Sequence, residues 1–349
     1  MNKISERSDR AVGIWLITGV VMIMIQVALG GITRLTGSGL SITEWKPILG
    51  AFPPMNDAAW QSAFEKYKEI GQFKHINFDF TLSDFKFIYF WEWLHRLWGR
   101  IIGIVFLIPF IYFVARKMIT QKMIIPMIIL FLLGGLQAAI GWIMVMSGLN
   151  NDDVSVDHIR LTVHFIAALI LLVYTWWLAL RYLVPSQQQQ SLRAVKKFNS
   201  YLLIVLTLQL IYGALMAGLK AGNTAPTWPD INGFFWPAGM EKYHGLSNLT
   251  HNPLMVQFIH RMLAYILFIS VIAWYWFVGK TKTTGQLNSI KIYPLIFVVV
   301  QLLLGIGTVL HSPVQKELLW WGVAHQFVAM LLLLSITWVQ YLSIPRLKR

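Results

Sequence analysis

Four histidines lie inside long apolar segments of this chain, each about six residues beyond the polar start of its segment. They are His95, His164, His260 and His325. An ionisable side chain is costly in hydrocarbon, so a histidine in such a segment is by default a candidate functional residue. A structural role, as a hydrogen-bonding residue between helices, is the alternative. Four histidines at one predicted depth favour metal centres held between helices.

Two imidazoles per centre limit the choice of metal. Zinc usually takes three or four protein ligands, and no carboxylate-rich set accompanies either pair. Copper, which accepts imidazole, is one candidate. Heme iron held by two axial imidazoles in a helix bundle is the better match. Arg96 and Arg261 each follow a histidine, and guanidinium is well shaped to pair with heme propionates. Reaching towards lipid headgroups is the alternative for these arginines.

The elements that must position these residues are membrane-spanning helices. The chain has 349 residues, of which 56% are hydrophobic and only 13% charged. Runs of about 20 apolar residues can cross a bilayer as helices, whereas the alternating segments typical of β-barrels are absent. We predict an all-α integral membrane protein whose eight spans lie at roughly 13–32, 89–115, 124–146, 159–180, 200–219, 255–278, 292–311 and 319–341.

The placement of the basic residues predicts the orientation and argues against nucleic acid as the partner of a chain with net charge +14. Lysines and arginines cluster before span 1, after spans 2, 4 and 6, and at the end of the chain, while loop 147–158 has none. The terminal clusters are Lys3, Arg7 and Arg10, and Arg346, Lys348 and Arg349. The positive-inside rule then places both termini in the cytoplasm or its equivalent. The first span lacks a small-residue cleavage pattern, so we expect it to be retained.

The two halves of the chain resemble each other, as in membrane proteins built by duplication. Histidine, glutamine and glycine positions recur at offsets of 183, 165, 164 and 161 residues for the four pairs of spans. We predict two pseudo-symmetric four-helix bundles, 1–184 and 200–349, joined by a polar cytoplasmic linker, 185–199. An outer loop, 33–88, belongs to the first bundle. The glutamines that recur, which we expect to bond across helices, are Gln26, Gln137, Gln209 and Gln301.

One difference between the halves predicts catalysis. Glu92 precedes His95 by three residues, and Gln257 precedes His260 by three. Residues at this spacing share a helix face, so both side chains approach the predicted ligand site. A carboxyl group near hydrocarbon suits acid–base work, which a glutamine cannot perform. One bundle would then perform chemistry while the other carries electrons. The alternative is a structural ion pair between Glu92 and Arg96.

Nearly the whole chain, in order, resembles the heme A synthase family. The segments that carry the resemblance are Glu92-Trp93-Leu94-His95-Arg96-Leu97-Trp98-Gly99-Arg100, Leu29-Gly30-Gly31-Ile32-Thr33-Arg34-Leu35-Thr36-Gly37-Ser38-Gly39-Leu40-Ser41, Glu44-Trp45-Lys46-Pro47, Gln257-Phe258-Ile259-His260-Arg261 and Ala324-His325-Gln326. The chain has no cysteine, so it looks closer to the cysteine-free members of mitochondria and related bacteria. Any redox step assigned to outer-loop cysteines in other members cannot apply here.

The resemblance implies an oxidoreductase that converts the C8 methyl group of heme O into a formyl group by successive hydroxylations, giving heme A for terminal oxidases. His95 and His164 would hold the iron of the substrate heme O, with Arg96 beside it. His260 and His325 would hold the iron of a bound heme b, with Arg261 beside it. Glu92 would be the essential acidic residue.

The resemblance also implies a multi-pass protein of a bacterial inner or mitochondrial inner membrane, the bacterial one being preferred, and a homo-oligomer in contact with lipid. Contacts with the farnesyltransferase that produces heme O and with an electron donor are further expectations. A quinol or a ferredoxin-type protein would both fit as donor. Two other classes of function compete: a di-heme b-type electron-transfer protein linked to quinol, and a heme carrier or oxidase assembly scaffold.

Three secondary features carry expectations of their own. Trp60, Phe64 and Tyr67 lie on one face of a predicted outer-loop helix, for which we favour anchorage on the membrane surface over a lid on the heme site. The glycine pairs at 30–31 and 134–135 are expected to permit close helix packing. The other five histidines receive no assigned role: His75, His158, His244, His251 and His311.

Overall fold

The computed structural model describes residues 3–45 and 49–345, with side chains from residue 7 onward except those of 46–49. The described residues form helices and loops without a β-strand. In chain order the α-helices are α1 Lys3–Leu35, α2 Asp57–Lys68, α3 Gly71–His75, α4 Leu82–Ala115, α5 Gln121–Met146, α6 His158–Leu183, α7 Arg193–Gly218, α8 Leu246–His251, α9 Pro253–Lys280, α10 Gly285–Ile290, α11 Ile292–Leu310 and α12 Gln315–Leu342.

Eight helices are long and apolar enough to cross a membrane. They are α1, α4, α5, α6, α7, α9, α12 and the continuous pair α10–α11, Gly285–Leu310. The predicted all-helical membrane fold is therefore confirmed. The orientation and the division at 185–199 stay predictions. The side chain of Lys3, the segment Lys46–Pro47 and the C-terminal Arg346, Lys348 and Arg349 lie outside the described residues.

Helix α4 begins at Leu82, well before the predicted residue 89. A capping box explains the earlier start, because the Thr81 hydroxyl and the Asp84 carboxylate each bond to the other residue's backbone N–H. The two additional turns carry Phe85 and Ile88, which are buried against the outer loop. His95 consequently lies about four turns into its helix, whereas His164 lies about two turns into α6.

Helices from both halves pack into one core. In the first half α1 packs against α4 and α6, and α5 against α6; in the second, α7 packs against α9, and α11 against α9 and α12. Contacts between α1 and α12, between α6 and α7, and between α6 and α12 form the seam. The largest apolar cluster crosses this seam and includes Val27, Leu172, Leu202, Trp274 and Met330. The seam therefore fixes the two halves against each other.

The outer-loop helix α2 exists as predicted, and the Asn56 side chain caps it by accepting from the N–H of Ala59 at 2.8 Å. Its apolar face, however, does not face lipid. Phe64 and Tyr67 are buried against Phe85 of α4. The expectation of a surface anchor was wrong, because an amphipathic pattern does not say whether lipid or protein covers the apolar face.

The polar segment between α6 and α7 is hydrogen-bonded to the second half of the chain. The backbone N–H of Gln286 donates to the side chain of Gln188, Gln189 donates to the carbonyl of Tyr341, and Gln190 donates to that of Thr284. Helix α7 already begins at Arg193. The non-helical connection is therefore shorter than the predicted 185–199 and is held against α10 and α12.

Candidate functional site

Each of the four candidate ligand histidines is held by a glutamine from the preceding spanning helix. The amide nitrogen of the glutamine lies 3.1–3.3 Å from a ring nitrogen in every pair. In the first half the same nitrogen also donates to the histidine carbonyl. The pairs are Gln26 with His95, Gln137 with His164, Gln209 with His260 and Gln301 with His325. The prediction that these glutamines bond across helices is confirmed.

A glycine four residues after each glutamine makes room for the histidine ring. A Cβ added to Gly141 would lie only 2.7 Å from Cε1 of His164, and one on Gly305 only 3.0 Å from Cε1 of His325. The corresponding distance is 3.2 Å for Gly30 with His95 and for Gly213 with His260. Because glutamine and glycine at this spacing share a helix face, one helix supplies both the hydrogen bond and the space.

The histidine pair of the second half has the separation that axial ligation requires. The ring centres of His260 and His325 are 6.5 Å apart, with their planes at 77°. Metal–imidazole bonds of about 2 Å, with about 1 Å from each nitrogen to its ring centre, place two axial imidazole centres about 6 Å apart. All four histidines are only partly buried as residues.

The donor set therefore fits heme. Within residues 3–45 and 49–345 no group of three or more histidine, aspartate or glutamate side chains lies together as in a zinc site. Nδ1 of His260 is buried without a hydrogen-bond partner, as are the Oε1 atoms of the four glutamines. When one ring nitrogen of an imidazole binds a metal, the other ring nitrogen carries the hydrogen. That N–H can then donate to an acceptor such as a glutamine Oε1.

Glu92, three residues before His95 on α4, is buried, with only 2% of the residue exposed. Its Oε2 accepts from the Ser41 hydroxyl at 2.7 Å and from the backbone N–H of Ile42 at 2.8 Å. Its Oε1 accepts from Arg96 at 2.5 Å. The ion pair between Glu92 and Arg96, which the sequence analysis gave as an alternative, is therefore present. The two further bonds tie the carboxylate to the loop that follows α1.

The corresponding position of the second half holds a neutral amide. Gln257 is fully buried and donates to the carbonyl of Ala225 at 2.8 Å. Arg261 donates to the carbonyls of Ala225, Thr227 and Asp230 at 2.7–3.0 Å. In both halves an arginine thus holds the loop after the first helix. The second half has no carboxylate at this position.

Arg96 behaves in the same way in the first half, where it donates to the carbonyl of Ile42 at 3.0 Å in addition to Glu92. The sequence predicted propionate binding for both arginines and missed these loop contacts. Ser41 was also missed as a partner of Glu92, although it closes the motif Gly37-Ser38-Gly39-Leu40-Ser41. Nothing about a serine after a glycine-rich turn indicates in the sequence that its hydroxyl will bond to a distant carboxylate.

Gln326, the residue after His325, received no role from the sequence and forms a contact across the seam. Its amide donates to the carbonyl of Val27 at 2.7 Å. Gly31 makes the contact feasible, because a Cβ there would lie 2.6 Å from Oε1 of Gln326. The paired glycines 30 and 31 thus serve two different neighbours. A Cβ added to Gly134 or Gly135 would have nothing within 4 Å. The expectation of close helix packing at these two glycines was therefore wrong.

The five remaining histidines lie outside the two candidate ligand pairs. His158 and His251 meet edge to face, with ring centres 4.6 Å apart. His311 stacks on Trp321 at 5.0 Å, and its Nε2 lies 3.7 Å from a carboxylate oxygen of Glu317. His75 contacts a loop carbonyl, and His244 is exposed.

Comparisons with known proteins agree with this architecture. Residues 13–337 match the family model COX15-CtaA, described as a cytochrome oxidase assembly protein. The chain is 41% identical over 341 residues to a heme A synthase of Flavobacterium johnsoniae, covering 95% of this chain and 98% of the relative. It is 42% identical over 344 residues to a heme A synthase of Rhodopseudomonas palustris, covering 97% and 92%. With eight apolar helices and bacterial relatives, it is a multi-pass protein of the bacterial inner membrane. The chain belongs to the COX15-CtaA family of cytochrome oxidase assembly proteins.

Proposed function

We propose that this chain is a heme A synthase, an oxidoreductase that converts the C8 methyl group of heme O into a formyl group by successive hydroxylations. Full-length relatives at about 40% identity carry this name. One observation in the structure carries the proposal. The two histidine pairs share the same surroundings of glutamine and glycine, but a buried carboxylate, Glu92, lies three residues before His95, whereas the amide of Gln257 lies three residues before His260.

This difference supports a substrate site in the first half. His95 and His164 bind the iron of heme O there, beside Glu92. His260 and His325 hold a resident heme, which we propose to be heme b. Their 6.5 Å ring separation supports two axial ligands, and the amide of Gln257 leaves that site without an acid or base. When bound, the resident heme supplies one-electron redox chemistry.

Glu92 handles the proton at the substrate site. The oxidised methyl group loses hydrogen, and a carboxylate placed beside it can receive a proton. Ser41 and Ile42 fix the position of Oε2, while Arg96 balances the negative charge. This arrangement orients the carboxylate before substrate arrives, which lowers the cost of reorganisation during the reaction.

Arg96 and Arg261 complete the two heme sites in this proposal by pairing with propionates. A guanidinium group has five N–H donors, and loop carbonyls use only some of them. Nε of Arg261 is buried without a hydrogen-bond partner, which supports a further acceptor there. The loops that these arginines hold would then form part of each propionate site.

The test compares pigments extracted from cells that make heme O and express wild-type chain or Glu92→Gln. The wild type is expected to yield heme A or its hydroxymethyl precursor, and Glu92→Gln only heme O with the resident heme retained. Glu65→Gln, which removes a carboxylate exposed on α2, is the matched control and is expected to behave as wild type. Unchanged heme O in every variant, beside two stable b hemes per chain, would instead establish an electron-transfer cytochrome.

The proposed partners are a second copy of the chain, the farnesyltransferase that makes heme O, and an electron donor. Broad exposed apolar faces on α4 and α5, including Ile108 and Leu132, must be covered by lipid or protein. Native mass spectrometry from mild detergent, with and without coexpressed farnesyltransferase, would count the copies and detect that enzyme.

A further inference from the structure

We propose that Gln209 and Gln301 are positioning residues that accept the free N–H of the histidines holding the resident heme and thereby set its reduction potential. This inference rests on the proposed function, because it requires heme iron between the histidines. It does not extend to Gln26 and Gln137, because their amide nitrogens donate to the backbone carbonyls of His95 and His164, which an amide oxygen cannot do.

The first support is geometric. Each glutamine lies on the spanning helix just before its histidine, and the glycine one turn later seats the ring. The ring is thereby enclosed between a backbone surface and a side-chain amide. The four sites share this arrangement although their helices differ in length and sequence. The position of the amide therefore depends on the histidine and not on local packing.

The second support is chemical. An imidazole that binds a metal through one nitrogen carries hydrogen on the other, and that N–H needs an acceptor. Carboxylates and backbone carbonyls commonly take this role in metalloproteins. Across the described residues, the partner that the structure gives each of these rings is the glutamine amide.

The third support is the set of unpartnered atoms. Oε1 of Gln26, Gln137, Gln209 and Gln301 is buried in every case without a hydrogen bond. A half-turn of the amide about its last torsion exchanges the nitrogen and oxygen, which have nearly the same shape. At Gln209 and Gln301 it would place Oε1 beside a ring nitrogen of His260 and His325. At His260 that nitrogen is Nε2, and Nδ1 of the same ring has no hydrogen-bond partner.

The bond has an electronic consequence. An acceptor on the N–H makes the imidazole a stronger electron donor to iron. A stronger donor stabilises the ferric state, so the heme becomes harder to reduce. Hydrogen bonding to axial ligands is one of the means by which proteins set heme potentials. Glutamine, a neutral acceptor, would lower the potential less than a carboxylate would.

The test uses the purified holoprotein in mild detergent, without heme O, and measures the midpoint potential of the resident heme by optical redox titration. Gln301→Leu is expected to shift the potential to more positive values, and Gln301→Glu to more negative values, with altered low-spin electron paramagnetic resonance g-values in both. Gln340→Leu, on α12 but bonded to Ser200 and Asn199, is the control and is expected to match wild type.

The outcomes separate the two proposals. Unmoved potentials in Gln301→Leu and Gln301→Glu at full heme content would overturn this inference and leave the proposed function intact. If Gln301→Leu loses its heme, the glutamate variant decides: a negative shift supports the inference, and an unchanged potential overturns it. A wild-type chain that binds no heme would overturn both. A purely structural glutamine would alter stability without this ordered shift.

Discussion

The side chain of Gln326 donates a 2.7 Å hydrogen bond to the carbonyl of Val27. Gln326 directly follows His325, and Val27 directly follows Gln26, whose amide bonds to His95. A short series of peptide and hydrogen bonds therefore connects His325 in the second half with His95 in the first half.

Gly31→Ala should loosen this seam. The new Cβ would lie 2.6 Å from Oε1 of Gln326 and push the amide away from Val27. We expect the free energy of unfolding in detergent to fall by about 1 kcal/mol, the usual contribution of such a hydrogen bond. Gly103→Ala, whose Cβ would meet nothing within 4 Å, is the control. A loss as large in the control would show that the seam contact is not responsible.

Gly141→Ala should impair the proposed substrate site. The added Cβ would lie 2.7 Å from Cε1 of His164 and must displace the ring. Heme O binding is expected to weaken about tenfold, equivalent to about 1.4 kcal/mol. Absorbance titration of the purified protein with heme O would measure this. Gly134→Ala on the same helix, with open space around its Cβ, should bind as wild type.

Arg96→Ala should destabilise the protein strongly, because it leaves the buried carboxylate of Glu92 without its counter-ion. Only 3% of the Glu92 side chain and 16% of that of Arg96 are exposed. Loss of one partner of such a pair costs about 3 kcal/mol. Adding Glu92→Gln to Arg96→Ala should restore part of the loss in chemical denaturation. Full additivity of the two changes would contradict the coupling.

Lys66→Ala removes one partner of an exposed ion pair and serves as the comparison for Arg96→Ala. Lys66 and Glu44 form an ion pair at 2.7 Å, with 44% of each side chain exposed. Exposed pairs contribute less than about 1 kcal/mol. The same denaturation experiment should therefore separate the two variants clearly.

The outer loop should loosen at alkaline pH. Burial raises the pKa of Tyr67 to about 12, while the hydrogen bond from Asn77 acts in the opposite direction. The folded state holds the phenolic proton more tightly than the unfolded chain, whose tyrosine has a pKa of about 10. This contribution to stability is fully present below pH 10 and is lost as the pH rises from about 10 to about 12.

Tyrosinate absorbance and protease cleavage of the outer loop, both followed against pH, would check this. Cleavage of wild type should rise between about pH 10 and 12. Tyr67→Phe should remove the rise that belongs to this residue. Identical profiles for the two proteins would contradict the role of Tyr67.

The spans and the four histidines were predictable because their signals are local. A run of apolar residues defines a spanning helix without knowledge of its neighbours, and a histidine within it is conspicuous. The partners that α2 and the linker glutamines find were not predictable. Whether Tyr67 faces lipid or Phe85 depends on two turns of α4 that continue beyond the apolar run.

The surroundings of Glu92 show the same limit within the site. Its spacing from His95 and Arg96 is a helical relationship, so the shared face and the ion pair followed from the sequence. Ser41 and Ile42 reach the carboxylate from a loop fifty residues away. Contacts of that kind depend on how the loop closes over the helix, which no periodicity encodes.

The guanidinium group of Arg34 donates to the carbonyl of Ala217. In the predicted repeat, spans 1 and 5 are offset by 183 residues, so Arg34 and Ala217 would be equivalent positions. Contacts between equivalent positions are typical of subunits related by a two-fold axis. In a dimer of identical subunits, however, every substitution appears in both sites. Because one chain carries both halves, a carboxylate can stand at position 92 while an amide stands at position 257, and the two halves can differ without losing their common interface.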